Sequence, residues 1–65
     1  PNDTEQQVVD IMAQNMGKAG FVETGGNVFA SATGTAVAIG YAKGTIMVVY
    51  YMDKAKARPI ANEPR

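Results

Sequence analysis

The sequence contains neither cysteine nor histidine among its 65 residues. Without cysteine there is no disulfide and no thiolate ligand, and without histidine the commonest general base and metal ligand is missing. A zinc site made of carboxylates alone is disfavoured. We therefore expect no metal and no cofactor, assign no catalytic residue, and consider an enzyme the less favoured class.

The chain also lacks an excess of charge and a long uninterrupted apolar run. Net charge is zero, so the overall composition indicates neither nucleic-acid nor membrane binding. The most apolar stretch, residues 36–52, is interrupted at Lys43 and Gly44 and is shorter than the roughly 20 residues of a membrane-spanning helix. The polar, acidic first residues do not resemble a signal peptide. We expect a soluble, cytoplasmic protein.

The short length predicts a single small domain. A chain of this size buries only about 60% of the surface exposed when it is unfolded. Folds this small often depend on disulfides, metals or partner chains. Because the composition removes the first two supports, we expect the protein to associate with itself as a homodimer or a higher oligomer.

The N-terminal part predicts an amphipathic helix over residues 3–19, with a capping residue among positions 2–4. Lys18 near its end and Gly20 just beyond form a stop signal, with Gly17 as a competing stop, and Phe21 is placed to pack back on the last turn. The apolar positions recur at helical spacing at Val8, Met12, Met16 and Ala19.

Three or four antiparallel strands are expected after the helix. Residues 21–24 predict a short strand, and the turn at 25–27 consists of residues that tolerate positive φ. A second strand is predicted over 28–33. Whether residues 28–42 form one strand bent at Gly34 or two separate strands stays open.

The segment 36–52 predicts a β-hairpin with a two-residue loop, Lys43-Gly44. In this register Ala42 lies opposite Thr45, and Ala36 lies opposite Tyr51. Neither face is polar, so both faces are expected to be covered. One face carries only large side chains, namely Val37, Ile39, Tyr41, Ile46, Val48 and Tyr50. The other face combines Ala36, Ala38 and Gly40 with Met47, Val49 and Tyr51.

We expect the helix to cover the low strip of Ala36, Ala38 and Gly40, since glycine permits close approach there. The face with large side chains is then the predicted oligomer interface: Val37, Ile39, Tyr41, Ile46, Val48 and Tyr50. As an alternative, strand 45–52 is an edge of the sheet and pairs across a two-fold axis.

Residues 54–65 differ in character from the predicted domain of residues 1–53. Two prolines, alternating charge and small side chains predict an extended or disordered, flexible tail. An arm that hooks onto a neighbouring subunit through Pro59 and Ile60 is a further possibility. The fold class is therefore α+β, with one N-terminal helix packed on a three- to four-stranded antiparallel meander and a C-terminal tail.

These features favour a small, non-catalytic assembly or interaction module that forms homo-oligomers. The alternative is a nucleic-acid-binding accessory protein, in which exposed tyrosines stack on bases and basic residues contact phosphates. The glycine-rich region 24–35 matches no phosphate-loop motif. The candidate nucleic-acid contacts are Tyr41, Tyr50 and Tyr51 with Lys43, Lys54, Lys56 and Arg58.

Pro1 resembles the N-terminal proline of the tautomerase superfamily, whose chains of about this length use that amine as a base. The resemblance implies a small enzyme that works from the Pro1 amine. It is confined to Pro1, because in that family the proline begins a β-strand, whereas residues 1–7 here predict the start of a helix.

Overall fold

The computed structural model describes residues 4–42 and 44–63. Its four strands form one antiparallel sheet in the order β1-β2-β3-β4, and the helix packs on that sheet. The predicted α+β class with an antiparallel meander is confirmed. The elements are α1 (Thr4–Lys18), β1 (Val22–Gly25), β2 (Val28–Ala30), β3 (Ala36–Ala42), β4 (Thr45–Tyr51) and a 3-10 turn (Lys54–Lys56).

The helix ends as its sequence predicts, in a Schellman motif. The N–H of Phe21 donates to the carbonyl of Met16 (3.0 Å), and the N–H of Gly20 donates to that of Gly17 (3.1 Å). Gly20 has a φ of +95°, which costs a residue without a Cβ nothing. The side chain of Phe21 packs with the core beneath the helix. The capping residues expected at positions 2 and 3 lie outside the described residues.

Residues 28–42 form two strands rather than one. Between them, residues 31–35 make a loop in which the hydroxyl of Ser31 accepts the N–H of Thr35 (3.1 Å). Gly34 has a φ of +93°, a conformation that interrupts an extended strand. The preceding turn at residues 25–27 has positive φ throughout, as expected from its composition.

The hairpin register is confirmed over its whole length. The seven pairs from Ala36 opposite Tyr51 to Ala42 opposite Thr45 are those predicted from a two-residue loop. Gly44 has a φ of +82°, and Lys43 lies outside the described residues. The assignment of side chains to the two faces of the hairpin is therefore also that of the sequence.

The helix packs on the face with large side chains, so the prediction that it covers the low strip is wrong. Val9 is fully buried and packs with Phe29 and Ile39 in the main core. Met12 and Met16 of the helix join this cluster. Large side chains on both surfaces interlock and bury more apolar area than a helix laid on alanine and glycine, which explains the choice of face.

The low strip of Ala36, Ala38 and Gly40 is covered by the C-terminal segment. The sequence predicts residues 54–65 to be a tail outside the domain, but Ala57 and Ile60 pack in the second apolar cluster, with Val28, Ala36 and Ala38. The chain leaves the 3-10 turn in an extended conformation and reaches a parallel bridge between Ala42 and Glu63. A shallow strip accommodates a single extended segment, whereas a helix about 10 Å wide would leave voids beside it.

Truncating Val9 should destabilise the domain strongly. Val9→Ala removes buried methyl groups from the main core and should lower the free energy of unfolding by about 1–3 kcal/mol. The matched control is Val22→Ala, because Val22 is 68% exposed; it should change stability by less than about 0.5 kcal/mol. Urea unfolding followed by circular dichroism measures both. Equal losses would contradict the helix placement.

Adding a methyl group at Gly40 should disturb the C-terminal segment. A Cβ built there would lie 2.6 Å from the Cβ of Ile60 and 2.8 Å from Oδ1 of Asn62, so Gly40→Ala should cost about 1–3 kcal/mol. The matched control is Gly17→Ala on the helix, where a Cβ meets nothing within 4 Å. That variant should gain about 0.5–1 kcal/mol. Thermal unfolding distinguishes the opposite signs.

Candidate oligomer interface

The strand β4 forms an open edge of the sheet. In the described part of the chain it pairs with β3 alone. Its seven residues include no charged residue and no proline, which are the features that usually protect an edge. The opposite edge, β1, has four residues, carries Glu23 and is interrupted by a shift in register. β4 is therefore the edge best suited to pair with another strand.

The direction of the backbone groups on β3 follows from its other neighbours. The N–H of Ile39 donates to the carbonyl of Asn27 (3.0 Å), and the N–H of Tyr41 donates to Oδ1 of Asn62 (2.9 Å). Both N–H groups thus point away from β4. In an antiparallel ladder, opposed residues alternate between hydrogen-bonded and non-hydrogen-bonded pairs, so Ile39 and Tyr41 are non-hydrogen-bonded toward β4.

The same alternation assigns the groups on the open edge. Val48 lies opposite Ile39, and Ile46 lies opposite Tyr41. Because these pairs are not hydrogen-bonded, Val48 and Ile46 direct their N–H and C=O groups outward, and Tyr50 does so by the same two-residue period. The edge therefore presents a row of donors and acceptors from Ile46, Val48 and Tyr50.

Apolar side chains accompany these backbone groups. Val48 is 53% exposed and Tyr50 is 61% exposed on the helix side of the sheet. On the other side Val49 is 39% exposed. Met52, just beyond the end of the strand, is 84% exposed. The end of β4 away from the hairpin turn thus carries apolar surface on both sides of the sheet.

The structure divides the predicted interface into covered and exposed residues. Ile39 is 1% exposed, and the helix-side cluster also includes Val37, Tyr41 and Ile46. Those four residues lie in the core of a single chain, because the helix occupies the face that we had expected to be open. Val48 and Tyr50 are the members of the predicted set that remain exposed.

The residues considered for nucleic-acid contact do not share one surface. Tyr41 packs in the helix-side cluster, Tyr50 is exposed on the same side, and Tyr51 packs in the cluster on the opposite side. Lys54, Lys56 and Arg58 are exposed on the C-terminal segment. Lys43 lies outside the described residues, as does Pro1.

The described part of the chain shows no enclosed pocket and no group of three or more acidic side chains close enough to hold a metal ion. None of its helices is both long and apolar enough to span a membrane. Within the same residues, every buried polar side-chain atom has a hydrogen-bond partner.

The sequence predicts Val49 on the face that the helix covers, whereas Val49 is 39% exposed, and Met52, which is 84% exposed, is not among the predicted interface residues. The signal for their exposure lay in the alternative stated above, that strand 45–52 is an edge, because a last strand in a meander has one neighbour only. Comparison with protein-family models, curated proteins and solved structures finds no match to this chain. The assignment of this interface therefore rests on its geometry.

Proposed function

We propose that the chain is a small, non-catalytic module that assembles with copies of itself through the open edge of β4. One observation carries the proposal: the residues that direct unpaired backbone groups outward also include the two exposed side chains Val48 and Tyr50. Pairing with another strand would satisfy the backbone groups and cover these side chains in a single step.

The outward groups restrict the register of such a pair. Hydrogen-bonded pairs form only between residues that both point outward, so Ile46, Val48 and Tyr50 of one copy must face the same set in the other. An antiparallel pair centred on Val48 uses all three residues. Val48 then lies on the two-fold axis opposite itself, and Ile46 lies opposite Tyr50 of the second copy.

This register places both helices on the same side of a continuous eight-stranded sheet. The exposed parts of Val48 and Tyr50 from the two copies then lie next to each other between the helices. On the opposite side, Val49 of each copy lies opposite Met47 of the other. All side chains in the pairing are uncharged, so no like charges meet across the axis.

The size of the apolar contact suggests an association that depends on concentration. Burying a large apolar side chain completely is worth about 1.5–3 kcal/mol, and Val48, Val49 and Tyr50 are each about half exposed. Two copies would gain on the order of 6 kcal/mol from these side chains, added to the edge hydrogen bonds. Lost freedom on association costs about 4–15 kcal/mol, so the dimer should dissociate on dilution.

The other functions and the location expected from the sequence stay predictions. Nucleic-acid binding through Lys54, Lys56 and Arg58, chemistry at the Pro1 amine, and a cytoplasmic location have no further support from the described residues. Because the basic side chains lie on the C-terminal segment and not on β4, nucleic-acid binding and self-association can be tested separately.

A charge at the centre of the edge should disperse the oligomer. Val48→Asp puts two carboxylates on the two-fold axis, and because Val48 is 53% exposed the single chain should still fold. We expect light scattering to give the mass of one chain across the dilution range in which the unaltered protein is larger. The matched control, Val22→Asp on the opposite edge, should keep the unaltered mass. A folded Val48→Asp protein with an unchanged mass would contradict the proposal.

Cysteine substitution tests the register separately, because the chain has no cysteine of its own. In the pair centred on Val48, the two Cα atoms of that residue lie about 5.5 Å apart, within disulfide range. Val48→Cys should therefore form a covalent dimer under mild oxidation, and Val22→Cys should not, as judged by non-reducing electrophoresis. A dimer by mass that Val48→Cys fails to cross-link would overturn the register and leave the assembly proposal standing.

A further inference from the structure

A gap in the sheet lies where β3 extends beyond β2. The strand β2 pairs with Ala36–Ala38, and one further hydrogen bond joins Ile39 to Asn27. Past that point no strand of the described chain runs beside β3 on this side. The N–H and C=O groups of Tyr41 face this gap, since they point away from β4.

The C-terminal segment fills the gap in the manner of an added strand. The N–H of Tyr41 donates to Oδ1 of Asn62 (2.9 Å), and the N–H of Glu63 donates to the carbonyl of Tyr41 (2.9 Å). A parallel bridge joins Ala42 and Glu63. The side-chain amide oxygen of Asn62 thus occupies the position that a carbonyl of a neighbouring strand would take. The C-terminal segment therefore extends the sheet through one side chain as well as through its backbone.

Glycines make room for the side chains that precede Asn62. An added Cβ on Gly40 would overlap Ile60, with both Cβ and Cγ2 at 2.6 Å, and an added Cβ on Gly26 would lie 3.1 Å from Pro59. Ile60 also packs in the apolar cluster of the second face. Pro59 and Ile60 therefore fit the space left by the two glycines, and Asn62 is held by its hydrogen bond to the Tyr41 N–H.

We propose that this gap is a peptide-binding site for extended segments with the pattern proline, isoleucine, any residue, asparagine, bound parallel to β3. Residues 59–63 of the chain are its resident ligand. The site is separate from the β4 edge and does not depend on the proposed self-association. Its ligand class is defined by three contacts: Pro on Gly26, Ile on Gly40, and the Asn amide on the N–H of Tyr41.

The resident segment is suited to exchange. Arg58, Pro59 and residues 61–63 are exposed, and Ile60 is half-buried. Segments held by a few apolar contacts and exposed hydrogen bonds open at a lower free energy than the whole domain. Because a tethered ligand competes at an effective concentration in the millimolar range, an added peptide should bind well only when the resident segment is weakened.

The test uses the full chain with its own segment weakened by Ile60→Ser and Asn62→Ala. The probe is a fluorescein-labelled, capped peptide with the sequence of residues 57–63, followed by anisotropy. We expect saturable binding with half-saturation at or below about 1 mM, and binding to the unaltered chain at least about tenfold weaker, because there the tethered segment competes.

Two matched controls examine the recognition chemistry. A peptide carrying Asn62→Ala should bind about fivefold more weakly, since it lacks the acceptor for the Tyr41 N–H. Adding Gly40→Ala to the weakened chain should reduce binding at least about tenfold, because the new methyl group occupies the position of the isoleucine. Equal affinity for the two peptides, or no effect of Gly40→Ala, would overturn the site.

Circular dichroism establishes whether the doubly substituted chain is folded. If it is unfolded, the chain with Asn62→Ala alone replaces it, because that variant keeps the packing of Ile60. Binding is then measured by the shift of the Tyr41 amide resonance when the peptide is added. Absence of a saturable response in a folded, weakened chain overturns the proposal in either form.

Discussion

The alternation of large and small side chains along β3 determines how both sides of the sheet are covered. Ile39 projects toward the helix, whereas its neighbours Ala38 and Gly40 leave a shallow strip on the other side. A helix gains most where projecting side chains interlock with its own, and a single extended segment fits where they are absent. The two unlike faces therefore receive two unlike covers from the same chain, the N-terminal helix and the C-terminal segment.

Local signals in the sequence predicted most of the secondary structure, because they act over a few residues. The Lys43-Gly44 loop fixed the hairpin register, and Gly20 fixed the helix end. The choice of face could not be read in this way, since it compares two packings that involve distant segments. Glycine at position 40 indicated close approach correctly, but not that Ile60 would be the approaching group. At the interface, the residues on the helix side of β4 were identified, yet their exposure depended on how far the helix extends over the strand.

On the edge of β4, the residues that direct backbone groups outward are also those that carry the exposed side chains of the helix side. In an antiparallel ladder, residues whose backbone groups point outward all place their side chains on one side of the sheet. On β4 that side carries the helix and the exposed Val48 and Tyr50. A partner strand shifted by one residue would place its inward-pointing residues opposite Ile46, Val48 and Tyr50. It would then match neither the outward backbone donors and acceptors nor the exposed apolar side chains. In the proposed assembly, specificity for a second copy would come from the pleat of the strand and would need no charged residue, which agrees with the uncharged sequence of β4.

Besides the short edge of β1, the described sheet has two places where strand backbone lacks a strand neighbour, and the chain treats these two differently. Beside Tyr41 the gap is closed from within, by an asparagine amide and one backbone N–H. Along β4 the described chain supplies no such closure. An intramolecular ligand is short and tethered, so it suits a gap of one or two residues, whereas a seven-residue edge needs a strand of similar length. In the assembly proposed above, β4 of another copy supplies a strand of that length and of compatible side-chain pattern.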